Sequence, residues 1–86
     1  MTTVKIYITK LCPYCSMAKR LLKSKDIKIE EIDVTFDRSG RQAMTKKSGG
    51  ATSVPQIFIG DTHVGGCDDL MALEAKGALD PMLQAS

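Results

Sequence analysis

The sequence predicts an α/β fold, a mixed sheet of four strands flanked by helices in the order β-α-β-α-β-β-α-α. Two β-branched runs, Val4–Ile8 and Ile27–Val34, bracket one amphipathic stretch, and such a βαβ unit sets its strands parallel through a right-handed crossover. Later, the short runs Pro55–Ile59 and Thr62–Val64 are split by Gly60-Asp61, the mark of an antiparallel hairpin. With 86 residues and no linker, repeat or low-complexity tract, the whole is expected to form a single domain, 1–86.

The first strand alternates Val4, Ile6 and Ile8 against Lys5 and Tyr7. Pro13 then marks a helix start, since proline suits the first helical turn, where its missing N–H is no loss. Met17, Ala18, Leu21 and Leu22 form one stripe opposite Lys19, Arg20 and Lys23, which predicts an amphipathic helix over Pro13–Lys25. Ile27–Val34 is the second strand. Asp37 opens a weaker helix that ends at Ser48, with Gly49 as its C-cap; its apolar content is slight (Ala43, Met44), and Gly40 weakens it further. After the hairpin, Gly65-Gly66 breaks the chain. Asp68-Asp69 then place negative charge at the start of a helix carrying Leu70, Met71 and Leu73, which Gly77 closes. A short helix, Leu79–Gln84, comes last.

Composition removes several classes of function. Three cysteines do not make the disulfide framework of a small secreted domain: Cys12 and Cys15 close too short a loop to staple anything, and Cys67 is left over. The N-terminus moves straight into a strand-like run, without a signal peptide's basic start, long apolar core and small-residue cleavage site. No apolar stretch approaches the ~18 residues that a membrane span needs. The formal charge is +2, no basic block is longer than Lys46-Lys47, and the aromatics, 5% of residues, do not interleave with the basic ones. Neither a nucleic acid nor a membrane is therefore an expected partner. A reducing cytoplasm is the expected location, and Cys-x2-Cys there reads as redox or metal chemistry.

Cys12-Pro13-Tyr14-Cys15 carries that chemistry. Cys12 falls just before the helix, where unpaired N–H groups of the first turn and the positive end of the dipole point at its sulfur and favour a thiolate. Lys10, two residues upstream, adds a cation. Cys15 lies one turn on, within the ~4.4–6.8 Å Cα separation that a disulfide allows. A thiolate so stabilised gains little as an attacker but departs readily when a second thiol attacks its partner. The rival reading of the pair is half a zinc site, with His63 and Cys67 completing a Cys3His set; against it, the pair opens a long amphipathic helix inside a βαβ unit. Two further features are ambiguous alone. Ser53-Val54-Pro55 precedes a strand, where proline is ordinary. Gly65-Gly66-Cys67-Asp68-Asp69 reads equally as a loop into a helix or as a helix-start pocket for a ligand carboxylate. Cys67 reads as a small, partly buried pocket wall, His63 as an exposed hairpin residue, and Met17, Met44, Met71 and Met82 as core packing.

Together these motifs are specific. From end to end the chain resembles the glutaredoxins, whose three signatures it carries in order: Cys-Pro-Tyr-Cys at 12–15, Val-Pro behind a small hydroxyl residue at 53–55, and Gly-Gly-Cys-Asp-Asp at 65–69. Pro55-Gln56-Ile57-Phe58-Ile59-Gly60 also looks like that family's third strand. The resemblance implies a thioredoxin-like sheet with Val54-Pro55 cis and facing Cys12. Glutathione would be co-substrate, with no tightly bound cofactor and no metal. Its cysteine would pair with the backbone of Val54 like an added strand, beside Ser53 and Pro55. Its γ-glutamyl end would meet Gly66, Cys67 and Asp68, its glycine carboxylate Lys10 and Arg41, and Tyr14 would line the groove beside the sulfur. Arg41 is placed by counting back from Gly49, and the loop 48–52 is one residue longer than the family's pattern. Ser53 stands where threonine is commoner.

The expected activity is glutathione-dependent reduction of protein disulfides and glutathionylated proteins by a monomer, through Cys12 and Cys15. The alternative is a dimer that carries a [2Fe–2S] cluster on Cys12 and glutathione, as some relatives with Cys-Gly-Phe-Ser do; Pro13 stiffens the turn and removes a backbone donor there. A thioredoxin-like reductase substrate is disfavoured, because Trp-Cys-Gly-Pro-Cys is absent and the chain has no tryptophan.

Overall fold

The computed structural model describes residues 3–84. In chain order the elements are β1 (Val4–Ile8), α1 (Pro13–Ser24), β2 (Ile29–Asp33), α2 (Arg38–Lys47), β3 (Gln56–Ile59), β4 (Thr62–Gly65), α3 (Cys67–Ala75) and α4 (Leu79–Gln84). The sheet runs β2-β1-β3-β4, with β1 and β2 parallel and the other two pairings antiparallel. This is the mixed sheet expected, with β1 and β3 central.

Side chains alternate along the central strands, and the alternation sets the layers. Val4 and Ile6 of β1 join Ile57 and Ile59 of β3 in a cluster with Ala18 and Leu22 of α1, Cys67 and Leu70 of α3, and Leu79 and Leu83 of α4. On the other face Tyr7 and Phe58 pack with Val34 and with Met44 of α2, the two rings meeting edge to face at 5.8 Å. Full burial of one such aliphatic or aromatic side chain is worth ~1.5–3 kcal/mol, so β1 and β3 anchor both layers. The loops that carry Cys12 and Val54 hang from these two strands.

Several boundaries differ from the sequence reading, each for a local reason. β2 begins at Ile29 rather than Ile27, because the chain leaves α1 through Asp26 in the left-handed region, φ 55°, before it can extend. In α1 the buried positions are Cys15, Ala18 and Leu22, spaced on one face, while Met17 is 45% exposed. Met17 is therefore not core packing: it lies about 100° round the axis from Ala18. Met44 is fully buried, and Met71 and Met82 pack against the core as expected. α2 starts one residue after its cap, Asp37, whose carboxylate accepts the Gly40 N–H at 2.9 Å. It ends at Lys47, with Ser48 as its C-cap and Gly49 following at φ 75°. Gly65 does not break the chain; it pairs with Ile57 as the last residue of β4. α3 begins at Cys67, one residue early, because Asp69 reaches back to accept the Gly66 N–H at 3.0 Å.

Candidate active site

Cys12 is the residue on which α1 starts. Its backbone is extended (φ −136°, ψ 102°), its carbonyl accepts the first helical bond from Ser16 at 3.2 Å, and Pro13 takes the first helical position. The Cys12 sulfur turns back over the helix end and accepts the Cys15 N–H at 3.2 Å. One orphan donor of the first turn is thus spent on sulfur. From across the groove, the Val54 carbonyl oxygen lies 3.8 Å from the same sulfur, and the Val54–Pro55 bond is cis.

The three cysteines are unpaired, and their surroundings differ sharply. Cys12 is half-buried, whereas Cys15 is 2% and Cys67 5% exposed. Burial, with a hydrogen bond to Cys12 second, pushes the Cys15 thiol up to about 12. Burial also raises the Cys67 thiol, with the charge of Asp68 and then Cys12 adding to it. Cys67 forms a wall and belongs at once to the main core.

A cavity of about 350 Å³ is lined by Tyr14, Ser53, Val54, Pro55, Gly66, Cys67 and Asp68. The two remaining candidates lie elsewhere. Arg41 lines a larger cavity of about 670 Å³ beside its neighbour Gln42, and its guanidinium donates to the Thr52 carbonyl at 3.2 Å, one residue before Ser53. Lys10 holds its ammonium 5.8 Å above the Phe36 ring and its backbone N–H on the Thr35 hydroxyl at 2.9 Å. A third cavity, about 300 Å³, joins Lys10 to Thr35, Phe36 and Asp37, and those three also line the cavity of Arg41. Both cations therefore flank one loop. Beside it, the hydroxyl and N–H of Thr35 hold the Asp33 carboxyl below its ordinary range.

His63 is engaged, although exposed: its Nε2 lies 2.7 Å from Gln56 Oε1 and its ring packs 4.9 Å from that of Phe58. No Cys3His set assembles; among the described residues no three His, Cys, Asp or Glu side chains converge as metal ligands. Also among them, no helix is long and apolar enough to cross a membrane.

The family described as Glutaredoxin matches residues 4–64. Over 84 residues the chain is 50% identical to Glutaredoxin 3 of Escherichia coli K12, covering 98% of this chain and 100% of that one. This chain belongs to the glutaredoxin family. A Pseudomonas aeruginosa glutaredoxin is similarly close, 51% identical over 85 residues that cover 99% of this chain and the whole of the relative. The solution structure of a glutaredoxin from Brucella melitensis superposes with a TM-score of 0.85 at 49% identity, covering 98% of this chain and 90% of that one. A buckwheat glutaredoxin–glutathione complex gives the same TM-score at 30% identity, over 95% and 76% of the two chains. The fold is thioredoxin-like, and the family is one of thiol–disulfide oxidoreductases.

Within this glutaredoxin the cavity wall also includes Gln56 and His63, which the sequence reading left out. A signal existed for the first: a glutamine opens an otherwise apolar strand, Ile57-Phe58-Ile59. Nothing in the sequence pairs it with His63.

Proposed function

We propose that this chain reduces protein disulfides and glutathione mixed disulfides with glutathione as reductant, Cys12 being the nucleophile and Cys15 the resolving thiol. One observation carries the reading. The Cys12 sulfur stands at a helix start, 3.2 Å from the Cys15 N–H, and faces the Val54 carbonyl at 3.8 Å, while Cys15 is buried beneath it.

In the first route the Cys12 thiolate attacks the glutathione sulfur of a mixed disulfide. The S–S bond breaks, and the substrate thiolate departs and takes a proton from water. A second glutathione thiolate then attacks the glutathione sulfur on Cys12, forming glutathione disulfide and returning the Cys12 thiolate. Val54 gives the incoming cysteine a backbone edge, while Ser53, Pro55 and Tyr14 line the groove. Gly66, Cys67 and Asp68 face the γ-glutamyl end. Lys10 and Arg41 offer cations to the glycine carboxylate. In the second route Cys12 attacks a protein disulfide and Cys15, once deprotonated, displaces the substrate to leave a Cys12–Cys15 disulfide. Two glutathiones reduce that bond. In the reduced chain burial keeps the Cys15 thiol protonated, so Cys15 must give up a proton before it can resolve the mixed disulfide.

The protein acts as a cytoplasmic monomer in this reading. Reduction of a glutathionylated peptide, coupled through glutathione reductase, is the test. Turnover that depends on glutathione and is abolished in Cys12→Ser is expected; turnover that survives Cys12→Ser would overturn it.

A further inference from the structure

Gln56 is the buried polar side chain of the described residues, 3% exposed, at the head of β3. An amide in that position is destabilising unless its donors and acceptor are satisfied. Its Nε2 donates to the Ser53 carbonyl at 3.0 Å and approaches the Ser53 hydroxyl at 3.4 Å, while Oε1 faces His63 Nε2 at 2.7 Å. The Ser53 carbonyl can only accept, so the NH2 end of Gln56 must face it. Oε1 is then fixed toward His63, and His63 Nε2 must carry the proton. Phe58 steadies that imidazole from one side. A chain of bonds thus runs from β4, through β3, to the loop residue just before Val54.

The span of this clamp is what matters. Gln56 reaches back over Val54, whose carbonyl stands 3.8 Å from the Cys12 sulfur. On one side of Val54 the Ser53 carbonyl is held by Gln56; on the other, Gln56 itself is registered against Tyr7 in the sheet. The peptide groups of Val54 are thereby held at both ends.

We propose that Gln56 is a positioning residue that sets the preference of the site for thiols that bring a peptide backbone, through its hold on Ser53 and so on the Val54 edge. This rests on the glutathione reading above. A thiol such as 2-mercaptoethanol offers sulfur alone and gains nothing from an ordered edge. A γ-glutamyl-cysteinyl-glycine thiol gains the strand-like pairing.

The test uses one peptide in two mixed disulfides, with glutathione and with 2-mercaptoethanol, and initial rates of peptide release over a range of substrate concentrations, with glutathione and glutathione reductase regenerating the reduced protein. The quantity read is the ratio of the two kcat/KM values within one sample, which cancels any inactive fraction. In Gln56→Met, which keeps side-chain length but removes both donors, the preference for the glutathione disulfide should fall about 10-fold, mainly through KM. Gln56→Glu presents an acceptor to the Ser53 carbonyl and should lose at least as much. His63→Ala keeps the Ser53 bonds and should retain most of the preference. An unchanged ratio in both Gln56 variants, or parallel losses on the two substrates, would overturn the proposal. A wild-type protein without the preference would overturn the glutathione reading and the proposal with it.

Discussion

Cys12 and Cys15 sit one helical turn apart, yet only the first is open to water. Cys12 is half-buried with an N–H on its sulfur; Cys15 lies in the buried face of α1, where loss of solvation holds its thiol protonated. Two predictions belong to this contrast. Iodoacetamide at neutral pH should label Cys12 alone, with Cys15 and Cys67 modified only after denaturation, as read by peptide mass mapping. Cys15→Ser should keep most of its activity on a glutathionylated peptide and lose most of it on a protein disulfide that needs internal resolution. Equal losses on both substrates would mean that the cysteines act as an obligate pair. The proposed hold on glutathione's glycine carboxylate rests on two cations, Lys10 and Arg41, that flank one loop. Lys10→Ala and Arg41→Ala should each weaken glutathione use by roughly 10- to 150-fold, the worth of a lost charge-assisted contact of ~1.5–3 kcal/mol. Gln42 lines the same cavity as Arg41, so an effect in Gln42→Ala and none in Arg41→Ala would move that contact by one residue.

α2 shows how an element can contradict its own propensities. Glycine inside a helix is ~1 kcal/mol worse than alanine, so Gly40→Ala should stabilise α2 by that measure. Its position says otherwise. A Cβ there would strike the Asp37 carboxylate that caps the helix and would crowd Val34 Cγ1 at 3.2 Å. A displaced cap loses ~0.5–2 kcal/mol, so Gly40→Ala should lower the melting temperature rather than raise it, and calorimetry would show the sign. This is also where reading from sequence reached its edge. Cap residues such as Asp37, the Pro13 helix start and the alternation in β1 are local signals, and each element they mark is present. The seven residues from Tyr14 to Asp68 that line one cavity were picked out through the family resemblance, because two of their three motifs are ambiguous alone. The buried stripe of α1 was misplaced by one residue type: hydropathy counts Met17 as core and passes over Cys15, although Cys15, Ala18 and Leu22 share the face. The Gln56–His63 pairing was invisible, since it depends on the register of β3 against β4 and on the bulge near Ile57 and Phe58.

For the molecule as a whole, the buried thiol of Cys15 gives stability an alkaline dependence. Its ordinary value of 9.0 holds in the unfolded chain and about 12 in the folded one, so between the two the unfolded chain releases its proton first. The native state then binds more protons, and stability falls as pH rises from about 9 toward 12. Denaturant midpoints measured over that range should decline, and Cys15→Ala should flatten part of the decline. Asp33 works in the opposite direction. Its carboxyl is held low by Thr35, so its contribution is present above the unfolded carboxylate range and fades as acid protonates the native form. The sheet order has a temporal side as well. β1, α1 and β2 are neighbours in sequence, but Val54 reaches Cys12 only when β3 lays itself antiparallel along β1. A ribosome finishes the first βαβ segment, thiol included, well before residue 54 has been made. Until β3 emerges and docks, Cys12 lacks the Val54 carbonyl that faces its sulfur in the folded chain. On the glutathione reading proposed above, the selectivity of the thiol is then the last property the chain acquires, arriving only when β3 docks.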